Sequence, residues 1–197
     1  MPQRIAFFDF DGTITTKDTL LEFVRHSKGS FRFYLGFLLT SPWMIAYKLK
    51  IISNQKAKEK FLAFFFRNYP LTKFHDLCTS FAQEAIPQLI RPKALAEIQR
   101  LQQAGTEVVI VSASPENWIR PWSEQAGLQL LSTRLTVKDE KLTGRITGRN
   151  CHGEEKVRRI KEAYRLSDYD EVYAYGDTKG DLPMLRMANI SFYKPFL

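Results

Sequence analysis

Three short apolar runs in this chain end in the same way. QRIAFFD (Gln3–Asp9), TEVVIVS (Thr106–Ser112) and EVYAYGD (Glu171–Asp177) each place consecutive apolar residues ahead of an acid or a hydroxyl at a polar turn. Runs of that length without polar alternation suit strands buried on both faces. Helical stretches lie between them. Pro92 opens one that runs to Gly105, Ser114-Pro115 and Gly127 mark the start and stop of another, and a third runs from Gly153 to Leu166. Buried strands alternating with helices predict an α/β fold with a doubly wound parallel sheet. The stretch LQLLSTRLTVKDEKLTGRITG, residues 128–148, alternates β-branched residues about KDEK and reads as a strand and hairpin appended to that sheet.

Residues 10–105 separate the first strand from the next, far more than one crossover helix requires. Residues 17–90 carry helical spacing, hold ten of the fifteen Phe and contain no buried-strand pattern. They are expected to form a helical cap over the strand ends, inserted into a core made of residues 1–16 and 91–197. A length of 197 residues with 44% hydrophobic and 25% charged side chains fits such a core with one insertion, and excludes collagen-like, low-complexity and disordered classes.

The formal charge is +8, from 29 Lys+Arg against 21 Asp+Glu, and between Lys17 and Glu84 eleven bases meet five acids, a net +6. A basic insertion attracts something anionic, whether nucleic acid, a phospholipid headgroup or a phosphorylated small molecule. No recognition-helix, stacking-sheet or zinc motif accompanies the charge, so a nucleic-acid partner is not expected. Cys78 and Cys151 cannot build a disulfide framework, and MPQRIAFFDFDG lacks a long apolar core followed by a cleavage site. The expected location is therefore cytoplasmic.

Ligands in open α/β sheets bind outside the carboxyl ends of the strands. That rule gathers Asp9 and Asp11 of FFDFDGT, Ser112, and Asp177 and Asp181 of YGDTKGD in one crevice, with Lys156 approaching from a helix start. Converging carboxylates need a compensating cation, and an all-oxygen site that leaves room for water and phosphate suits Mg2+.

In this combination and order, DFDGT, a strand ending in VSAS, Lys156 in GEEKV and GDTKGDLPML, the chain resembles the haloacid-dehalogenase superfamily, most closely its phosphoserine-phosphatase-like subfamily. The resemblance covers the whole chain. It implies a Rossmann-like core with a helical cap, and a Mg2+-dependent phosphomonoester hydrolase acting through an aspartyl-phosphate. Asp9 is then the nucleophile and Asp11 the acid and base. Ser112, Lys156 and backbone N–H groups of Phe10, Asp11 and Ala113 bind the phosphoryl group. Asp9, Asp177 and the Asp11 carbonyl hold Mg2+, with Asp181 in or just behind that set. Asp18 falls where phosphoserine phosphatases carry a Glu that reads the substrate's ammonium, and Gly180 where they usually carry Asn. Dehalogenation on the same scaffold uses no Mg2+ and would leave Asp11 and Asp177 without a purpose.

Phe31 to Ile52, FRFYLGFLLTSPWMIAYKLKII, is read in two ways. Its longest uncharged run, Phe33 to Tyr47, is 15 residues and contains Pro42, whereas a spanning helix needs about 20. The first reading is two cap helices broken near Ser41-Pro42 and packed on Phe61 to Phe66. The second is a cap resting on the inner face of a membrane, with Lys48, Lys50, Lys56, Lys58 and Lys60 toward anionic headgroups. The first pairs with a small soluble substrate of the phosphoserine type. The second pairs with a lipid phosphate, since some proteins similar to this subfamily dephosphorylate phosphatidylglycerophosphate. His26, His75 and His152 share no metal-ligand spacing and are assigned no role.

Overall fold

A computed structural model describes residues 3–197. Its six-stranded sheet has the order β4-β3-β2-β1-β5-β6. The strands are β1 (Arg4–Phe8), β2 (Glu107–Pro115), β3 (Gln129–Lys138), β4 (Lys141–Thr147), β5 (Glu171–Gly176) and β6 (Ile190–Tyr193). All neighbours are parallel except β3 and β4. β1 is central, pairing Phe8 with Ile110 on one side and with Tyr175 on the other. The chain winds outward from β1 first through β2 and β3, then through β5 and β6. The topological switch, where such sheets open a crevice, therefore lies beside β1.

Both faces of the central strands β1, β2 and β5 are buried, as the continuous apolar runs require. Ile5, Phe7, Val109 and Val111 pack on α7 (Glu154–Ala163) and α8 (Leu182–Met187). Ala6, Phe8, Val108 and Ile110 face the other way, toward α5 (Pro92–Gln103) and α6 (Glu116–Gln125). At the hairpin, Asp139 and Glu140 both take positive φ, the backbone of a two-residue primed turn, which bears out the reading of KDEK.

Between β1 and β2 run α1 (Thr19–Lys48), α2 (Asn54–Phe66), α3 (Leu71–Ser80) and the short α4 (Ile86–Leu89). Their aromatic residues join the core on the α6 side: Phe23 stacks on Trp118 at 4.5 Å and meets Phe66, Phe74 and Phe81 edge-on or tilted. The two ends of this segment meet, with Thr16 N donating to Leu89 O at 2.8 Å and Arg91 N to Ile14 O at 2.8 Å. No helix among the described residues is long and apolar enough to cross a membrane.

One local expectation fails. The chain does not break at Ser41-Pro42: α1 runs through Pro42, and its interruption lies at Gly29, with φ 77 and ψ 160. Pro42 lacks the N–H that would serve the Leu38 carbonyl, and the Ser41 hydroxyl donates to that oxygen at 2.7 Å instead. The residue before the proline repairs the hydrogen bond the proline removes.

The inserted helices are pinned to the hairpin. Asn68 N donates to Leu142 O, Leu142 N to Tyr69 O and Leu71 N to Glu140 O, all within 3.0 Å. Gly144, at φ +75, presses on α2 so closely that a Cβ there would collide with the Ala63 backbone. Gly144→Ala is expected to cost about 2–3 kcal/mol, from strain and overpacking together. A thermal melt would register it as a fall in Tm of roughly 4–12 °C.

Candidate active site

β1 delivers Asp9 to the crevice, and Asp9 N continues the sheet pairing by donating to Tyr175 O at 2.9 Å. The chain then turns sharply over Phe10–Ile14. Gly12 takes φ 87, and a Cβ on it would overlap the Asp177 carboxylate. Only glycine lets the β1 and β5 loops approach this closely. Asp9, Asp177 and Asp181 thereby each bring a carboxylate oxygen within 4.8 Å of the others. Gly176 serves the same end, since a Cβ there would meet the Asp181 side chain at 2.5 Å.

Lys156 enters from the first turn of α7. Its ammonium is fully buried, 2.5 Å from Asp9 Oδ1 and 2.7 Å from Asp181 Oδ1. The second Asp181 oxygen accepts from Thr178 N at 2.9 Å and from Thr178 Oγ1 at 2.7 Å. Burial works to raise the Asp181 pKa, but Lys156 and the Thr178 donors outweigh it and hold the group below the usual carboxylate range. Burial dominates at Asp9 and pushes it up to about 8 against the pull of Lys156. Asp177 is also raised, chiefly by burial, while Thr13 Oγ1 donates to it at 3.0 Å. Two buried or half-buried carboxylates so disfavoured as anions, set against hard oxygen donors only, fit a divalent cation such as Mg2+.

The Asp11 side chain is held by α1 on one oxygen and by β2 on the other. Its Oδ1 accepts from Thr19 N and Thr19 Oγ1, each at 2.6 Å, and its Oδ2 accepts from Ser114 Oγ at 2.6 Å. Thr19 opens α1, so this carboxylate lies at a helix N-terminus. Ser112 is fully buried; its Oγ is 3.4 Å from Asp11 and accepts from Ser114 N at 3.0 Å. Phe10 turns its ring into the core against Trp122 at 5.6 Å. Asp18 caps α1, accepting from Leu20 N and Leu21 N, and reaches the crevice mouth. Surrounding protein, then Asp11, raise its pKa to about 6, an effect tempered by the solvent-open side of the residue.

Asp9, Asp11, Asp18, Lys156 and Asp181 line a cavity of about 380 Å³, while Phe10, Ser112 and Asp177 are not among its lining residues. Asp9, Asp11, Ala113, Lys156 and Asp181 form its floor, and Asp18 with Leu20, Phe37, Met44, Tyr47 and Phe61 its far wall. Two wall residues depart from the sequence expectation, which sets Lys58 with the headgroup-facing lysines and gives His152 no role. Lys58 turns inward rather than toward a surface, donating to Ala113 O at 2.9 Å and to Asn150 Oδ1 at 3.3 Å, and burial lowers its pKa. Nothing in KAKEK separates it from Lys56 and Lys60. His152 lies against Gly180, where any Cβ would collide with its ring; partial burial, then Lys156 and Lys58, depress its pKa, although one side of the residue is open to solvent. A small residue at 180 is the one signal that made room for it.

Residues 6–186 match the family model described as haloacid dehalogenase-like hydrolase. The chain belongs to the haloacid dehalogenase-like hydrolases. The expected class, a phosphatase of this family, stands. Protein CicA of Caulobacter vibrioides is 35% identical over 196 residues, 98% of this chain and 86% of that protein. The phosphoserine phosphatase of Methanocaldococcus jannaschii is 27% identical over 198 residues, covering 95% of this chain and 83% of its own. A crystal structure of a protein of unknown function from Bordetella pertussis Tohama I has a TM-score of 0.79 at 21% identity, over 97% of this chain and 89% of that one. That likeness is one of fold.

Two predictions follow from how this haloacid dehalogenase-like site is held. Lys58→Met deprives Asn150 Oδ1 and Ala113 O of a buried donor and is expected to cost about 1–3 kcal/mol in urea unfolding. Glu155, on the turn that carries Lys156, binds Arg158 at 2.6 Å and Arg159 at 2.9 Å, and Arg158 foremost holds its pKa down to about 2. A depressed folded pKa stabilises above the unfolded value near 4.5 and loses that contribution as pH falls toward 2. Glu155→Gln should be less stable at pH 7 by about 1–2 kcal/mol, discounted because Arg158 is solvent-exposed, with the difference vanishing through that window.

Proposed function

We propose that this chain is a Mg2+-dependent phosphomonoester hydrolase acting through an aspartyl-phosphate on Asp9, with a small phosphorylated metabolite of the phosphoserine type as substrate. The observation that carries the reading is Asp9 itself, at the end of β1, sharing one buried ammonium with Asp181 and facing Asp177. Residues 17–90 act as the cap that carries the cavity's far wall, and the pairing of its two ends beside Thr15 and Ile90 supports that boundary.

Asp9 attacks phosphorus, an Asp9 oxygen–phosphorus bond forms, and the ester oxygen leaves with a proton from Asp11. Water then attacks the aspartyl-phosphate, Asp11 takes its proton, and phosphate departs. Thr19 and Ser114 aim the Asp11 carboxyl for both transfers. Lys156 offsets charge on the phosphoryl oxygens and on Asp9, joined by Ser112 and the N–H groups of Phe10, Asp11 and Ala113. Asp9, Asp177 and the Asp11 carbonyl would hold Mg2+, with Asp181 behind them. Mg2+, when bound, supplies the fixed positive charge that brings Asp9 to its anionic form at neutral pH.

Asp18 and Lys58 set opposite charges on the cavity wall, which suits a substrate bearing both an ammonium and a carboxylate. A second reading, a lipid phosphate, draws on the apolar side of the same wall, Leu20, Phe37, Met44, Tyr47 and Phe61. Phosphate release from soluble phosphoserine and from a micellar lipid phosphate, compared as kcat/KM in one preparation, separates the two. In either case Asp9→Asn should lower Mg2+-dependent turnover by roughly 10³-fold or more, and chelation should abolish it reversibly. Full turnover by Asp9→Asn would overturn the mechanism.

A further inference from the structure

The second half of α1 has two apolar faces, and the fold uses one. Gly36 and Thr40 are buried toward α2, where a Cβ on Gly36 would meet the Phe64 and Phe65 rings, and Phe37, Met44 and Tyr47 wall the cavity. Phe31, Tyr34, Leu38, Ile45 and Leu49 follow one another at intervals of three, four, seven and four residues, the spacing of a single helix face. They are 81%, 62%, 67%, 55% and 66% exposed. A helix apolar on every side belongs inside a protein or against lipid, and soluble surfaces rarely leave so continuous an apolar stripe uncovered.

The charges around the stripe say what covers it. No Asp or Glu occurs from residue 23 to residue 58, while Arg25, Arg32, Lys48, Lys50, Lys56 and Lys60 are exposed at or near the two ends of the stripe. The next acid, Glu59, is turned away and accepts from Ile146 N at 3.0 Å. A second copy of this chain would set these cations against their own images with no carboxylate between them. An anionic bilayer surface satisfies both features, taking the apolar side chains among its acyl chains and the lysines at its headgroups. Tyr34 and Trp43 add the amphipathic rings that favour that boundary.

We propose that the outward face of α1, from Phe31 to Leu49, docks this protein on anionic membrane surfaces without crossing them. The proposal stands on the surface alone and is independent of the phosphate chemistry above. Docking there sets the cavity wall formed by Phe37, Met44 and Tyr47, on the same helix, close to the headgroup layer.

The test is flotation of the whole protein with phosphatidylcholine–phosphatidylglycerol vesicles and with phosphatidylcholine vesicles alone. Binding to the anionic vesicles should be stronger by roughly tenfold and should weaken with salt. The combined variant Tyr34→Ser, Leu38→Ser, Ile45→Ser should lose roughly tenfold in binding, with far-UV circular dichroism and soluble-ester hydrolysis unchanged. If that variant fails to fold, Lys48→Glu with Lys50→Glu decides, since it leaves the apolar stripe intact and should still cut anionic binding. The proposal is overturned by absence of flotation, by flotation that both variants retain, or by a concentration-dependent dimer that the serine variant dissolves without any vesicle binding. Flotation without phosphate release would keep the docking surface and remove the proposed function; hydrolysis without flotation would do the reverse.

Discussion

A lysine ammonium sealed from solvent between two carboxylates is the interaction on which the rest of this molecule depends. Stripping Lys156 of water is costly, and only partners as close as Asp9 and Asp181 offset it. Those partners come from different parts of the chain, Asp9 from the end of β1 and Asp181 from the turn after β5, while Lys156 comes from α7. The pairing therefore fixes the position of α7 against the sheet. Glu155, Arg158 and Arg159 secure the same turn from outside, Arg159 reaching the Ser132 and Arg149 carbonyls of the neighbouring strand and loop.

Lys156 does not reach every acid of the crevice. Among the described residues it bonds only Asp9 and Asp181, Lys58 lines the same cavity, and burial leaves Asp9 and Asp177 raised while Asp181, held by Lys156 and the Thr178 donors, is lowered. This separation divides the acids by environment rather than by residue type. Gly12 and Gly176 make the crowding sterically possible, because a side chain at either would occupy the space of a carboxylate. Folding and site geometry share these constraints, so a substitution that loosens the acids also frees the loops.

The strands were legible because burial on both faces leaves no ambiguity of pattern, and β1, β2 and β5 lie within the three apolar runs apart from the extension of β2 to Pro115. The convergence of Asp9, Asp177, Asp181 and Lys156 was legible for the same reason, since residues at strand ends inherit their positions from the sheet. Side chains on the inserted helices inherit nothing comparable. Lys58 points inward while Lys56 and Lys60 point out, a choice made by the rotation of α2 against β4 that the local sequence does not encode. Pro42 misleads for another reason: proline breaks a helix through a missing hydrogen bond and a clash, and Ser41 supplies the bond from a position that sequence rules do not weigh.

The insertion is attached on one side and open on the other. Backbone hydrogen bonds at residues 68–71 and 140–142, with Glu59 and Gln55 reaching Ile146 and Gly148, tie α2 and its loop to the hairpin. α1 contributes Thr19 to the Asp11 carboxylate at its start and Phe37, Met44 and Tyr47 to the cavity further on. The same helix thus touches the acid at the crevice floor, walls the space above it and presents Phe31 through Leu49 to the outside. The inner face packs on α2 and the cavity, while the outer apolar residues expose surface that water disfavours. The apolar contact proposed above would cover them, and they share a helix with Phe37, Met44 and Tyr47 of the cavity wall, so such a contact would lie close to the site.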